Sequence, residues 1–220
     1  MQCIKDTIKN INIVIGCSIG CSYCYARMNN NRFHTIDDFN KPVFFENKLK
    51  MLDNKRYTAY LLTGQSDLSG WNEEWKDKVF SKMKENENTQ YIFLTKRPEN
   101  INLKETPDNG WFGVTVTSSK EKTRIDYLRN NIKAKHYHIT FEPMFDDVGK
   151  LDLNNISWIV IGTETGNRKG KISSKREWIF NIYNQAKEKN IPVFMKEDLL
   201  GILNEDEFVQ EFPKEFGEIK

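Results

Sequence analysis

Trp158-Ile159-Val160-Ile161-Gly162 and Pro192-Val193-Phe194-Met195 flank a segment, 175–189, that carries Trp178, Ile179, Ile182, Tyr183 and Ala186 at helical spacing. The flanking runs are short, β-branched or aromatic, and end in glycine or polar residues, as buried strands do. The middle segment has one apolar face, with Ser173 and Ser174 available as caps. Strand, amphipathic helix, strand reads as a parallel crossover.

The same alternation extends towards the N-terminus. Strands are predicted at 11–15, 59–63, 91–95, 111–116 and 136–141, and helices at 24–31, 46–53, 74–86 and 119–130. The class is α/β with a mainly parallel sheet. About seven strands is one short of a closed eight-fold barrel, so an open or partial barrel fits, with a doubly wound sheet as the alternative. No repeat or low-complexity linker interrupts the chain, which reads as a single domain over 1–220. Residues 204–220 form an acidic tail expected to pack through Phe208, Phe212 and Phe216.

Composition narrows the function classes. The 220 residues are 38% hydrophobic and 12% aromatic, enough for one sizeable core and unlike a disordered chain. Mean hydropathy is −0.67 and no long apolar run occurs, which excludes a membrane-spanning reading. The start, MQCIKDTIKN, lacks a signal-peptide pattern, so a cytoplasmic location is expected. A net charge of +2, without a basic and aromatic stripe, does not favour nucleic acid as a partner. Arg168, Lys169, Lys171, Lys175 and Arg176 form a local basic run, read as a solvated loop or a phosphate contact.

Polar residues gather after the strand ends: Gly64, Gln65, Ser66 and Asp67; Lys96 and Arg97; Thr117 and Ser118; Glu142; Glu164; Lys196 and Glu197. Ligands bind at that edge in parallel α/β folds, so a polar pocket over the barrel mouth is expected.

Four cysteines lie near the N-terminus, and Cys17, Cys21 and Cys24 are spaced CxxxCxxC between the predicted first strand and first helix. Thiolates ligate soft metals, and three in a tight loop suit three irons of a cubane, leaving the fourth open to a ligand from outside the protein. A structural zinc site needs four protein ligands, the fourth being Cys3, His34 or something remote. The contrasting class is therefore a zinc-stabilised binding module without catalysis. Cys3 otherwise reads as a small apolar residue, and His136 and His138, alternating in a strand, as facing a cavity or solvent.

CxxxCxxC with an aromatic before the third cysteine resembles the signature of the radical S-adenosylmethionine enzymes. The resemblance implies a partial (β/α)6 barrel, a [4Fe-4S] cluster on Cys17, Cys21 and Cys24, and S-adenosylmethionine on the fourth iron. It places Tyr23 near the adenine. The family's Gly-Gly-Glu-like turn after strand two corresponds to Gly64 and Gln65, where the second glycine and the glutamate are missing. Ribose contacts would come from Thr115, Thr117 or Ser118. An electron donor such as flavodoxin or ferredoxin is the implied protein partner.

The landmarks GCSIGCSYCYA, LTKRPEN, GVTVTSS, TFEPMFDDVG, IGTETG and VFMKE resemble a compact, phage-associated-type subgroup of that family. This likeness implies a small 7-deazaguanine-type substrate, queuine, cleaved to an aminomethyl-7-deazaguanine. Other small-substrate radical chemistry, such as nucleotide modification or photoproduct repair, is the alternative within the family. A guanine-like base needs carboxylate acceptors, for which Asp67, Glu142, Glu164 and Glu197 stand at strand ends. Lys96, Arg97 or Lys196 could donate to its carbonyl, and Phe141, Phe145, Trp71 or Tyr25 could stack on it. Asp67 or Asp146 could accept from a diol. Lys96 with Glu142, or Lys196 with Glu164, read equally well as ion pairs. Loops 66–74 and 166–174 are the candidate lids.

Overall fold

The computed structural model describes residues 3–54 and 56–217. Seven parallel strands make one sheet: β1 (Ile8–Asn10), β4 (Ala59–Leu61), β5 (Gln90–Thr95), β6 (Gly110–Thr115), β7 (His136–Phe141), β8 (Ile156–Ile161) and β9 (Val193–Met195). Their spatial order is their chain order. A doubly wound sheet reverses direction at a switch point, so the sequential order decides for a singly wound, curled half-barrel.

Period-two alternation sorts the side chains between two faces. On β5, Tyr91 and Phe93 join the outer core with Val79, Phe80 and Met83 of α3 (Glu73–Glu85). Ile92 joins an inner cluster with Ile8, Ala59, Trp111, Trp158, Val160 and Phe194. Ile125 and Leu128 of α4 (Thr123–Asn131) and Ile179, Ile182 and Ala186 of α5 (Arg176–Glu188) complete the outer core. The inner face also carries β6 residue Gly113 and the β7 residue His138, whose ring lies where a Gly113 Cβ would be. A side chain on β6 there would evict it.

The helical layer is thinner than a (β/α)6 barrel implies. Between β5 and β6 there is a single turn, Pro98–Asn100, and residues 142–155 join β7 to β8 without a helix. Ile101 and Leu103 from the first connection, and Val148, Leu151 and Leu153 from the second, cover the sheet instead. The predicted helix at 46–53 is a 3-10 segment, Glu46–Asp53, in which only Leu52 is buried, so no continuous apolar face sustains an α-helix.

The strand predicted at 11–15 survives only at its end, and the main-sheet strand precedes it. β1 ends at Asn10, and β2 (Val14–Ile15) pairs antiparallel with β3 (Val43–Phe44) outside the main sheet. The cause is tertiary: the Ile13 carbonyl accepts from Phe45 and the Asn12 carbonyl from Lys48, so the chain leaves the sheet at this point. The helix before β1, α1 (Ile4–Thr7), is a single turn.

The tail behaves as its aromatics suggest. Residues 209–211 line the exposed edge of β9, with Met195 N–H donating to Val209 at 2.8 Å and Glu211 N–H to Val193 at 2.9 Å. Phe212 and Phe216 then pack on the inner cluster, and Thr58 Oγ1 donates to the Phe216 carbonyl. Phe208 rests on the outer core. Residues 218–220 of the expected tail lie outside the described residues. Among the described residues no helix is long and apolar enough to cross a membrane.

Candidate active site

The cysteine loop starts at Gly16, whose φ of +115° and packing both require glycine: a Cβ would fall 2.8 Å from Pro42 Cα. Gly16 N–H donates to Gln65 O at 3.0 Å and pairs with Ser66, fastening the loop to the chain that leaves β4. Cys17 N–H donates to Phe39 O, and the Cys17 carbonyl accepts from Arg27 Nη2 at 2.7 Å. Cys24 caps α2 (Tyr25–Phe33), its Sγ accepting from Arg27 N–H at 3.4 Å. All three cysteines of the motif are half-buried free thiols. Burial pushes the Cys17 thiol up, and the charges of Asp67, Cys21 and Cys24 add to that rise. Among the described residues no three Cys, His, Asp or Glu side chains already stand close enough to hold an ion.

The aromatics of this loop tie it across the strand ends. Tyr25 is 51% exposed as a residue, but its hydroxyl donates to Gly64 O at 2.6 Å. Burial of that hydroxyl raises its pKa, and the neighbouring Cys24 and Glu142 charges add to it. Tyr23 stacks edge-on to Phe145 at 5.4 Å, with Lys96 Nζ 5.7 Å from its ring centroid. Burial likewise raises the Tyr23 hydroxyl, with Cys21 beside it and Thr117 bonding to it. The loop thus touches the ends of β4, β5, β6 and β7, and the expected mouth is the place where the cysteines sit.

The predicted substrate carboxylates separate into different roles. Asp67 is buried and fully engaged, accepting from Ser69 N, Ser69 Oγ, Thr95 Oγ1 and Lys96 N within 3.0 Å. It holds the β4 and β5 exits together, with three donors on Oδ1 and the Lys96 N–H on Oδ2. Glu164, 4% exposed, is gripped by Arg168 through Nε at 2.5 Å and Nη2 at 2.8 Å, which holds its carboxyl below the usual range. Glu197 Oε1 accepts from Cys3 Sγ at 2.9 Å, and its other oxygen is buried without a partner. Cys3 is therefore a hydrogen-bonding thiol rather than an apolar filler.

Glu142 is different. It pairs with Lys196, which also reaches Asp198 Oδ2 at 3.2 Å. Burial opposes the Lys196 charge, but Glu142 and Asp198 outweigh it and hold the ammonium charged above its usual range. The expected alternatives, Lys96 with Glu142 and Lys196 with Glu164, are replaced by Lys196 with Glu142 and Arg168 with Glu164.

Of the expected cofactor contacts, Thr115 and Thr117 are buried. The Thr117 hydroxyl donates to Glu121 Oε2 at 2.6 Å, while Ser118 stays half-exposed. Arg97 is exposed and bonds through its backbone, the N–H donating to Thr95 Oγ1 and the carbonyl accepting from Asn100 N–H. Trp71 and Phe141 are core residues, leaving Phe145 and Tyr25 as the aromatics at the mouth. Asp146 accepts from Ser119 N and Oγ and is occupied. Loop 166–174 is anchored at both ends, by Arg168 on Glu164 and by Ser174 on Thr163 Oγ1 at 3.0 Å.

Asn10, Asn12, Arg27, Gly162 and Asp198 at the site escape the sequence reading. Asn10 and Asn12 flank Gly64, where a Cβ would lie 3.0 Å from Asn12 Oδ1, an oxygen that is buried and unpartnered. Their signal was two polar residues in register within an isoleucine run. Arg27 supports the loop from the first turn of α2, and Gly162 leaves the space in which Glu142, Lys196 and Asp198 meet. His136 and His138 face neither cavity nor solvent. His136 stacks on Trp111 at 4.3 Å, and His138, 1% exposed, lies 3.0 Å from Phe93 O through Nε2. His34, the zinc alternative, is an exposed C-cap of α2.

Residues 16–20 also spell G-x-S-x-G, the pattern of a serine-hydrolase elbow. Ser18 is exposed and bonds to no histidine or carboxylate among the described residues, and α2 begins only at Tyr25, so that geometry is not assembled. Over 98 residues the chain is 35% identical to Lipase 1 of Staphylococcus aureus strains Mu50 and N315. That likeness covers 44% of this chain but only 14% of the length of those curated relatives. No solved structure matches. A family profile spans nearly everything described above, from residue 2 to residue 218, and the chain belongs to that family, the protein of unknown function DUF5131.

Proposed function

We propose that this protein is a radical S-adenosylmethionine enzyme and, within that class, a queuine lyase. The observation that carries the reading is the CxxxCxxC loop fastened over the C-terminal mouth of an open parallel half-barrel. Three thiols without a fourth protein ligand suit a cluster with one open iron better than structural zinc. The unpartnered Asn12 Oδ1 beside Gly64 is an acceptor of the kind that the amino group of S-adenosylmethionine needs.

Cys17, Cys21 and Cys24 would hold the [4Fe-4S] cluster, and Asn12, Gly64 and Gln65 the methionine end of the cofactor. When bound, the pair supplies an electron and a 5′-deoxyadenosyl radical for hydrogen abstraction. The chain's own part is placement and exclusion of water. Tyr25 and Gly16 hold the cysteine loop on the mouth. Phe145, with Tyr23 at its edge, offers a face to a flat base, and Lys96 a donor beside it. Glu142, its side chain 29% exposed and paired through Oε1 alone, is the predicted carboxylate with an oxygen left for a ligand.

The test is anaerobic purification and reconstitution, then incubation with reductant, S-adenosylmethionine and queuine. Mass spectrometry should detect 5′-deoxyadenosine and 7-aminomethyl-7-deazaguanine together. Deoxyadenosine without the base rejects queuine and keeps the chemistry. A colourless, zinc-loaded protein yielding neither rejects the enzyme.

A further inference from the structure

Gly162 follows β8 on the inner face, and the missing side chain is structurally used. A Cβ there would lie 3.1 Å from Lys196 Cδ, 3.2 Å from Asp198 Oδ1 and 3.2 Å from Glu142 Cδ. Three charged side chains, one from the exit of β7 and two from the exit of β9, therefore converge on one glycine. Their charges do not cancel, since two carboxylates face one ammonium.

The two carboxylates are not equivalent. The Asp198 side chain is 12% exposed and held twice, by Thr163 N–H on Oδ1 at 3.1 Å and by Lys196 on Oδ2. The Glu142 side chain is 29% exposed and meets Lys196 through Oε1 alone. No described residue donates to Glu142 Oε2. The group left facing the mouth is thus a carboxylate oxygen in a partly desolvated site, fixed by a lysine already neutralised by Asp198. Phe145, three residues after Glu142, packs edge-on against Tyr23 of the cysteine loop.

We propose that Glu142, set by Lys196, Asp198 and Gly162, is the subsite that takes the cationic amine of the substrate. This rests on the queuine reading: the secondary amine joining the deazaguanine to the cyclopentenediol is protonated at neutral pH. Its N–H donates to Glu142 Oε2, which places the bond to be broken beside the cysteine loop. The flat base is left to Phe145 and Lys96. Charge at the linker, rather than the ring edge, then discriminates among deazaguanines.

Two bases separate this from the parent reading, 7-aminomethyl-7-deazaguanine, which carries the cation, and 7-cyano-7-deazaguanine, which is neutral. Affinities are measured by calorimetry on the anaerobically reconstituted protein, with circular dichroism melts to confirm folding. Wild type should prefer the aminomethyl base. Glu142→Gln should weaken it by about 10- to 100-fold, the worth of a hydrogen bond to a charged group, and leave the cyano base unchanged. Gly162→Ala should weaken the aminomethyl base selectively by displacing the same carboxylate. Equal loss for both bases, or no loss, overturns the subsite alone. Wild-type protein that binds neither base overturns the substrate reading and the subsite with it.

Discussion

Replacing Gly113 with alanine tests the inner packing of the barrel. A methyl group at that position falls onto Cε1, Nε2 and Cδ2 of the His138 ring. The ring is 1% exposed, and β7 is clamped between β6 and β8, so it has little room to yield. Overpacking costs about 1–3 kcal/mol, and loss of the Nε2 contact to Phe93 O adds about 1 kcal/mol. The total of about 2–4 kcal/mol should lower Tm by about 5–15 °C in a chain of this size. In a His138→Ala background the methyl enters vacated space, so the same substitution should cost less than about 1 kcal/mol. Urea unfolding followed by the fluorescence of buried Trp111 and Trp158 gives all four corners of the cycle. Additive effects, or a Gly113→Ala cost within about 0.5 kcal/mol, would refute the packing argument.

The same histidine sets a pH dependence. Burial pushes its pKa down to about 4, so below about 6.5 the unfolded chain gains a proton that the folded one refuses. Stability should therefore fall by about 3 kcal/mol between pH 6.5 and 4, and His138→Ala should remove that part of the slope in urea titrations. Cys17→Ala, Cys21→Ala and Cys24→Ala should each abolish cluster absorbance after reconstitution while Cys3→Ala keeps it; absorbance retained in all three ends the cluster assignment. Tyr25→Phe should cost about 1 kcal/mol and speed hydrogen exchange at Gly16, whose bond to Gln65 shares the same junction. Arg168 holds the Glu164 carboxyl low, so that contribution persists above the ordinary carboxylate range and fades as pH falls through the lowered value. Arg168→Ala should expose loop 166–174 to limited proteolysis at neutral pH, and unchanged cutting would show that Ser174 alone anchors it.

Much of the scaffold was legible because strand and helix periods differ. The runs 136–141 and 91–95 read as strands because their side chains alternate between two buried faces, and 175–189 as a helix because five apolar residues share one stripe. The run 11–15 misled for a physical reason: Ile11, Ile13 and Ile15 alternate correctly, but Lys48 and Phe45 take the backbone oxygens of residues 12 and 13. Tertiary hydrogen bonds overrode a sound local pattern. At the site, the spacing of the cysteines and the polar strand ends located the mouth. What could not be read was which partner each carboxylate finds. Asp67 turned inward onto backbone donors and Glu164 onto an arginine four residues away, and only the fold decides between such partners.

The tail has a consequence for how the chain is made. Trp111, Trp158 and Phe194 are translated well before Phe212 and Phe216, the rings that close over them. Until residues 209–216 have left the ribosome, the nascent sheet presents both an apolar hollow and an unpaired β9 edge, the two features that invite aggregation. A chain cut short of residue 209 is therefore expected to aggregate more readily than one that carries residues 209–216.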